Sequence, residues 1–178
     1  MLSKLLKNKF ILHGINIVIA IIFQTVLQEV IQIKGNTVLL FLPLIVSNAV
    51  FFDFLDAIIA NLFIIFVFCF LFTNNFFLNL FLMVLLVIIS NRLKEKIYLQ
   101  RVEIFLLFLL IYIFFLNLSQ YTAIGIAFNE IPVLSVLLSN SIIQFILNSI
   151  FGIFIYFTVS RESKYLLKLK KGRNLKEE

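Results

Sequence analysis

The sequence has few of the residues that usually carry chemistry: one cysteine, one histidine and five scattered glycines in 178 residues. Cys69 alone excludes an intramolecular disulfide and a zinc site built from cysteines. His13 has no serine, cysteine or acidic residue placed in the sequence to act as a catalytic partner. The glycines form no phosphate-binding loop. We therefore predict no catalytic residues, no metal ligands and no cofactor, and we expect the protein not to be an enzyme.

Charged residues are also scarce, at 13% of the chain, whereas hydrophobic residues make up 62% and the mean hydropathy is +1.12. A soluble domain is about one-quarter charged. This chain cannot cover a core with polar surface, so lipid must be its solvent, and we predict an all-α integral membrane protein. Lysine and arginine flank the apolar segments instead of spreading over a folded face, which argues against nucleic acid as a partner.

The number of membrane spans depends on how residues 38–72 are divided. The apolar segments are residues 10–31, 38–72, 76–90, 102–118 and 133–159. One span needs about 20 residues, so 38–72 could be one helix or two. As one helix, it would leave the basic loop at 91–101 and the basic tail outside, with the N-terminus inside. If it folds back near Asp53, Lys34 is the only one of the 15 basic residues outside the cytoplasm.

The second division predicts a bundle of six transmembrane helices with both termini in the cytoplasm. We place the transmembrane domain at 1–160 and a basic cytoplasmic tail at 161–178. The tail, "RESKYLLKLKKGRNLKEE", mixes leucine and tyrosine with lysine. It is either a helix on the surface of anionic lipid or a plain topology anchor.

Asp53 and Asp56 interrupt the long apolar run and allow two interpretations. They could mark a cytoplasmic turn between the second and third helices, with an aspartate capping the third helix through a backbone N–H. Alternatively, aspartates at i and i+3 share a helix face and could bind a divalent cation. Membrane phosphotransferases with such a motif have a second pair of aspartates, and these two are the only aspartates in the chain. The sequence favours the turn.

The first helix carries a polar group in "FQTVLQEV". Gln24 and Gln28 share a face at i and i+4, and Glu29 follows them. An acidic residue inside a membrane is a functional candidate. Glu29 also lies where the helix is expected to leave the hydrocarbon, which favours an interfacial position near Lys34.

The last helix carries a narrow stripe of polar and small residues: Asn140, Gln144, Asn148 and Gly152. In lipid such a stripe should face protein, because small residues allow close approach and amides bond across helices. It could pack inside the bundle or bind another membrane protein. Positions four apart drift by about 40° per step on a helix of 3.6 residues per turn. We therefore expect Asn148 inside the bundle, and Asn140 and Gln144 open to a partner.

Three short stretches resemble the bacterial rod shape-determining protein family MreD. "NSIFGIFIYF" at 148–157 is similar to the last helix of that family, with Asn148, Gly152 and Tyr156 in matching places, although Phe157 stands where proline is usual. "IISNRLKEKIY" at 88–98 resembles the end of its fourth helix. "FQTVLQEV" resembles its first helix, which often has glutamine at the place of Gln24.

This resemblance implies a multi-pass protein of the bacterial cytoplasmic (inner) membrane that maintains cell shape and directs lateral peptidoglycan synthesis. It implies a non-enzymatic role in cell elongation, with the bitopic protein MreC and the wall-synthesis complex as partners besides membrane lipid. The alternative is a substrate-binding subunit of an energy-coupling-factor vitamin transporter, whose size and six-helix layout are similar. A third reading is a small membrane assembly factor.

Overall fold

The computed structural model describes residues 2–33, 35–73, 75–94, 101–128 and 134–174. Side chains within those ranges are described except at residues 2–10, 12, 13, 127, 128 and 167–174. Lys34, residues 95–100 of the basic loop and residues 175–178 of the tail lie outside the described residues, as does the side chain of His13.

Six helices and one short hairpin make up the described chain. In chain order they are α1 (Leu2–Val30), β1 (Gln32–Ile33), β2 (Asn36–Thr37), α2 (Phe41–Phe51), α3 (Phe54–Phe72), α4 (Phe76–Leu93), α5 (Val102–Phe128) and α6 (Leu134–Asn174). The hairpin strands are antiparallel, and Gly35 between them has a φ of 77°, which favours glycine. Apart from this hairpin and short connections, the part of the chain that the structure describes is all-helical.

Four helices in the described part are long and apolar enough to cross a membrane: Phe54–Phe72, Phe76–Leu93, Val102–Ile126 and Leu134–Leu166. These helices fit the predicted multi-pass membrane class. The apolar part of α1, Gly14–Val30, and α2 are shorter. The 11 residues of α2 measure about 17 Å, roughly half of a hydrocarbon core of about 30 Å.

Helix α2 lies at the centre of the molecule. Every residue of 38–50 is buried, and α2 packs against α3, α4, α5 and α6. The outer helices are buried on one side only. On α3, for example, Ile64 and Phe68 are buried, whereas Phe63 and Phe70 are 58% and 70% exposed. Such a division between inner and outer faces suits a bundle whose surroundings are apolar.

Contacts between helix ends show that successive helices alternate in direction. The end of α2 meets the end of α4, where Asn91 donates to the Phe52 carbonyl. At the opposite end of the bundle, Gln24 near the end of α1 binds the backbone at Val38. We call the end of the bundle where Asn91 meets Phe52 the basic end, because the exposed arginines at 92, 101 and 161 lie there. The opposite end, where Gln24 meets Val38, is the hairpin end.

Two helices continue where the sequence predicted other structure. Residues 119–128, which follow the predicted apolar segment 102–118, extend α5, and the hydroxyls of Ser119 and Thr122 donate to carbonyls of the preceding turn, so neither hydroxyl is left unbonded. Helix α6 runs through residue 160 without a break and ends at Asn174. Beyond residue 160, Glu162 and Ser163 are buried against the bundle, so the first part of the predicted tail packs with the helices.

Candidate functional site: the buried helix and its amide contacts

Residues 38–40 lie just before α2, and Gln24 of α1 binds two of them. Its Nε2 donates to the Val38 carbonyl at 2.5 Å, and its Oε1 accepts from the Leu40 N–H at 2.6 Å. Gln24 is fully buried. Backbone outside a helix cannot be left unbonded in an apolar surrounding, and one glutamine supplies both a donor and an acceptor here.

Asn148 of α6 binds Leu39, which lies between Val38 and Leu40. The Leu39 N–H donates to Asn148 Oδ1 at 2.7 Å, while Asn148 Nδ2 donates to the Gln144 carbonyl at 2.7 Å within α6. Asn148 is fully buried and Gln144 is 7% exposed. Both residues therefore face the inside of the bundle, and Gln144 does not lie open at the surface as the helical drift led us to expect.

A chain of polar contacts links the hairpin to α6 and α5. Asn36 Nδ2 donates to Asn140 Oδ1 at 3.2 Å, and Asn140 Nδ2 donates to the Tyr121 hydroxyl. Asn140 is partly exposed. The predicted stripe Asn140–Gln144–Asn148 thus lies against the hairpin and the entry to α2, at the hairpin end.

Gly152, the fourth residue of the stripe, lies where α6 approaches α5. A Cβ at this position would meet Leu109 Cδ2 at 3.3 Å and the Phe105 ring at 3.5 Å. One turn further, the Tyr156 ring lies 4.9 Å from the Phe51 ring and 5.1 Å from the Phe105 ring. Glycine at 152 therefore permits close packing of α6 on α5.

Side chains from α4 and α6 bind the carbonyls at the other end of α2. Asn91 Nδ2 donates to the Ala49 carbonyl at 2.8 Å and to the Phe52 carbonyl at 3.0 Å. Lys94 Nζ also donates to the Phe52 carbonyl, and Ser163 Oγ donates to the Phe51 carbonyl at 3.1 Å. These are the carbonyls that a helix end leaves without intrahelical partners, and the positive charge suits the negative end of the helix dipole.

Two asparagines connect the middle of α2 to α3. Asn48 Nδ2 donates to Asn61 Oδ1 at 3.2 Å, and Asn61 Nδ2 donates to the Ile45 carbonyl at 3.1 Å. Both are 1% exposed. Side chains from α1, α3, α4 and α6 therefore bind α2 or the backbone beside it along its whole length.

Sequence reasoning missed the asparagines of the middle helices. Asn61, Asn91 and Asn117 are buried, and each makes a hydrogen bond to another element; Asn117 Nδ2 donates to Ser141 Oγ at 3.1 Å. The available signal was a lone amide inside an apolar span, which has to face protein because lipid cannot bond to it. These asparagines lie outside the predicted polar stripe, so a pattern of several polar residues does not reveal them.

Gln28 and Glu29 do not join Gln24. Gln28 is partly exposed and Glu29 is exposed, one turn closer to the end of α1. Only Gln24 of this predicted polar group faces the bundle. Glu29 is on the outer side of the helix at the hairpin end, and Gln28 lies at the border between the inner and outer sides.

Asp53 and Asp56 lie at the turn between α2 and α3, at the basic end. Asp53 occupies the N-cap position of α3, and its backbone carbonyl accepts from the Ala57 N–H at 2.7 Å. Its side chain is exposed and makes no cap hydrogen bond, so the expected side-chain cap is wrong. Extended backbone at Asp53, with ψ of 158°, is enough to end one helix and start the next. Within the described part of the chain, no three or more His, Cys, Asp or Glu residues could share a metal ion.

An open groove of about 620 Å³ lies at the hairpin end, between the start of α4 and the last turns of α5. Its walls include Phe77 and Ile126, which are 81% and 77% exposed on the outer surface. The groove is therefore part of the apolar exterior and is separate from the polar contacts around α2.

The side chains that meet around α2 are chiefly amides, which neither titrate nor act as nucleophiles and which serve here as donors and acceptors for backbone groups. Their arrangement binds a short helix and the three residues that precede it inside an apolar bundle. No protein-family model matches the chain, and no match is found among curated proteins or solved structures.

Proposed function

We propose that the protein is a non-enzymatic, MreD-like component of a bacterial cell-elongation complex, acting through contacts with other membrane proteins. The observation that carries this proposal is the position of the three stretches that resemble MreD. Each supplies an amide that binds α2 or the backbone beside it: Gln24, Asn91 and Asn148. Similarity that reflects hydrophobicity alone gives no reason for three distant stretches to act on one element.

Further residues of the same stretches support the proposal. Lys94, in the second stretch, donates to the Phe52 carbonyl at the end of α2. Tyr156, in the third, packs its ring against Phe51 of α2. The three stretches thus contribute several of the contacts that pack α2, which supports the proposal.

In this proposal the chain passes through the cytoplasmic membrane six times, the second time through α2 together with the residues that precede it, and the basic end, with both termini, lies in the cytoplasm. A bitopic MreC-like protein and the wall-synthesis complex are the partners. The buried amides are used within the bundle, so partner contacts fall on the outer faces of the helices and on the loops. The role of the protein is then to position its partners in the membrane during lateral peptidoglycan synthesis.

Deleting the gene in the organism that encodes this chain tests the proposal. We expect rod-shaped cells to widen and round up, and labelling of new side-wall peptidoglycan by a fluorescent D-amino acid to fall. The full chain expressed in trans should restore both, and it should co-purify with the MreC of the same organism. Unchanged rods in the deletion strain would contradict the proposal. Normal shape with a growth requirement for more of one vitamin would instead support the vitamin-transport alternative.

A further inference from the structure

The outer surface of α6 changes from apolar to basic along one stripe. Ile150, Phe154 and Phe157 are 66%, 77% and 53% exposed. Arg161 and Lys164 are exposed as well and follow them at intervals of four and three residues. On a helix with 3.6 residues per turn, these intervals keep all five positions on one face. Along this face, large apolar side chains are therefore followed by cations towards the C-terminal end of α6.

The opposite face of α6 fixes the rotation of this region. Glu162 accepts a hydrogen bond from Asn16 Nδ2 of α1 at 2.7 Å, and Ser163 donates to the Phe51 carbonyl. Leu166 is 5% exposed, on the same inner side. With these contacts facing the bundle, Arg161 and Lys164 are directed outward, where lipid would surround the protein.

The helix backbone continues to Asn174, so the pattern extends beyond Lys164. Lys168 and Lys171 occupy positions i+7 and i+10 from Arg161 and share its helix register. Because they lie about 17 and 21 Å along the helix beyond Phe157, we name only Arg161 and Lys164 the α6 basic stripe. The exposed Tyr165 lies beside its start, and tyrosine is enriched where a membrane meets water.

We propose that the α6 basic stripe binds the headgroups of anionic phospholipids. At 1.5 Å per residue, Arg161 and Lys164 lie about 6 and 11 Å along the helix from Phe157. The headgroup layer on each side of a bilayer is roughly 5–8 Å thick. A phospholipid whose acyl chains cover Phe154 and Phe157 therefore places its phosphate beside Arg161, within the layer where anionic lipids carry their charge.

Continuity of the stripe favours lipid over a soluble acidic partner. Both cations come within two turns of side chains that lipid tails must cover, so headgroups reach them without any approach from solution. Each basic residue close to an anionic surface strengthens binding by about 1 kcal/mol, a factor of about five. The effect should weaken at high ionic strength, because salt screens exposed charges.

The test uses the full chain reconstituted in phosphatidylcholine vesicles that contain a trace of spin-labelled lipid. Electron spin resonance measures the fraction of label slowed by contact with the protein. We expect spin-labelled phosphatidylglycerol to be enriched about two- to fivefold over spin-labelled phosphatidylcholine, and 1 M NaCl to remove most of the difference. Arg161→Gln with Lys164→Gln should lower the enrichment at least twofold.

The matched control is Arg92→Gln with Arg101→Gln, which removes the same charge from the basic end at α4 and the start of α5 and should leave most of the enrichment. Arg161→Lys with Lys164→Arg should keep it fully. If the α6 pair does not yield folded protein, the two single changes Arg161→Gln and Lys164→Gln replace it, and each should lower the enrichment by part of the effect of the pair. Enrichment that persists in the α6 variant, or falls equally in the control, overturns the proposal, because the stripe would then have no particular affinity for the headgroups.

Discussion

At the residue scale, the buried amides act as substitutes for peptide groups. Gln24 bonds to Val38 and Leu40 much as a neighbouring strand would, with one donor and one acceptor. The sequence predicts that such residues face protein, because lipid offers no hydrogen bonds. It does not predict their partners, which lie 14 residues away for Gln24 and 109 residues away for Asn148. Gln24 and Asn148 bind residues 38–40, and the sequence does not show that α2 begins only after these residues.

Gln24 and Gln28 form a matched pair for testing this role, since they are the same residue one turn apart on α1. Gln24→Leu leaves two buried backbone groups unbonded, at a cost of about 1–3 kcal/mol each. We expect a clear drop in the midpoint of thermal unfolding in detergent. Gln28→Leu, at a partly exposed position, should change stability by less than about 0.5 kcal/mol. Equal effects of the two changes would show that the Gln24 contacts contribute little.

Asp53 offers a second test at this scale. Its carboxylate is exposed and makes no cap hydrogen bond, so Asp53→Asn should alter stability by less than about 0.5 kcal/mol. Thermal unfolding and a cell-shape complementation assay would check this. A variant that inserts and accumulates normally but fails to complement would point to an ionic role for the carboxylate, such as binding a cation.

At the scale of the element, α2 is where sequence and structure differ most. The sequence predicts a membrane span over residues 38–52, but the helix covers only Phe41–Phe51. Pro43 lies in its first turn, where the missing N–H breaks no helical hydrogen bond; a helix extended upstream would place this proline in its interior. Side chains from other helices bind the three residues before it, so a longer helix is not needed. Hydropathy detects the apolar run and not this change of backbone.

The approach of α6 to α5 gives the prediction for Gly152. An added Cβ meets Leu109 at 3.3 Å, a flexible side chain that can move slightly, so Gly152→Ala should cost less than about 1 kcal/mol. Gly152→Leu should cost about 1–3 kcal/mol or more and lower the amount of protein in the membrane. The control Ile150→Leu lies on the exposed face. If Gly152→Leu accumulates normally and loses only its membrane partner, the residue belongs to a partner contact instead.

At the scale of the whole molecule, composition was enough to predict an all-helical membrane protein, because so few charges exclude a soluble surface. The turn at Asp53 and the alternating helix directions agree with the charge distribution that divided residues 38–72. The length of α6 could not be predicted in this way. The sequence places Glu162 and Ser163 in the predicted tail, yet each has a partner inside the bundle, Glu162 on α1 and Ser163 on α2. Only tertiary contacts distinguish such residues from solvated ones.

The orientation of the whole molecule can be tested by labelling cysteines in intact cells with a membrane-impermeant maleimide. The native Cys69 is fully buried and should not react. We expect Gln32→Cys and Asn75→Cys, at the hairpin end, to be labelled from outside. Asp53→Cys and Arg101→Cys, at the basic end, should be labelled only after permeabilisation. The reverse pattern would refute a cytoplasmic basic end.

The central position of α2 has a consequence for biosynthesis. Residues 38–40 leave the ribosome early, whereas Asn148, which binds the Leu39 N–H, is made more than one hundred residues later. Until α6 has entered the membrane, the nascent chain exposes an unbonded peptide group beside a helix too short to insert stably alone. Assembly of the bundle is therefore completed only when the last helix arrives. We therefore expect a chain that ends before α6 to be degraded faster in the membrane than the full chain.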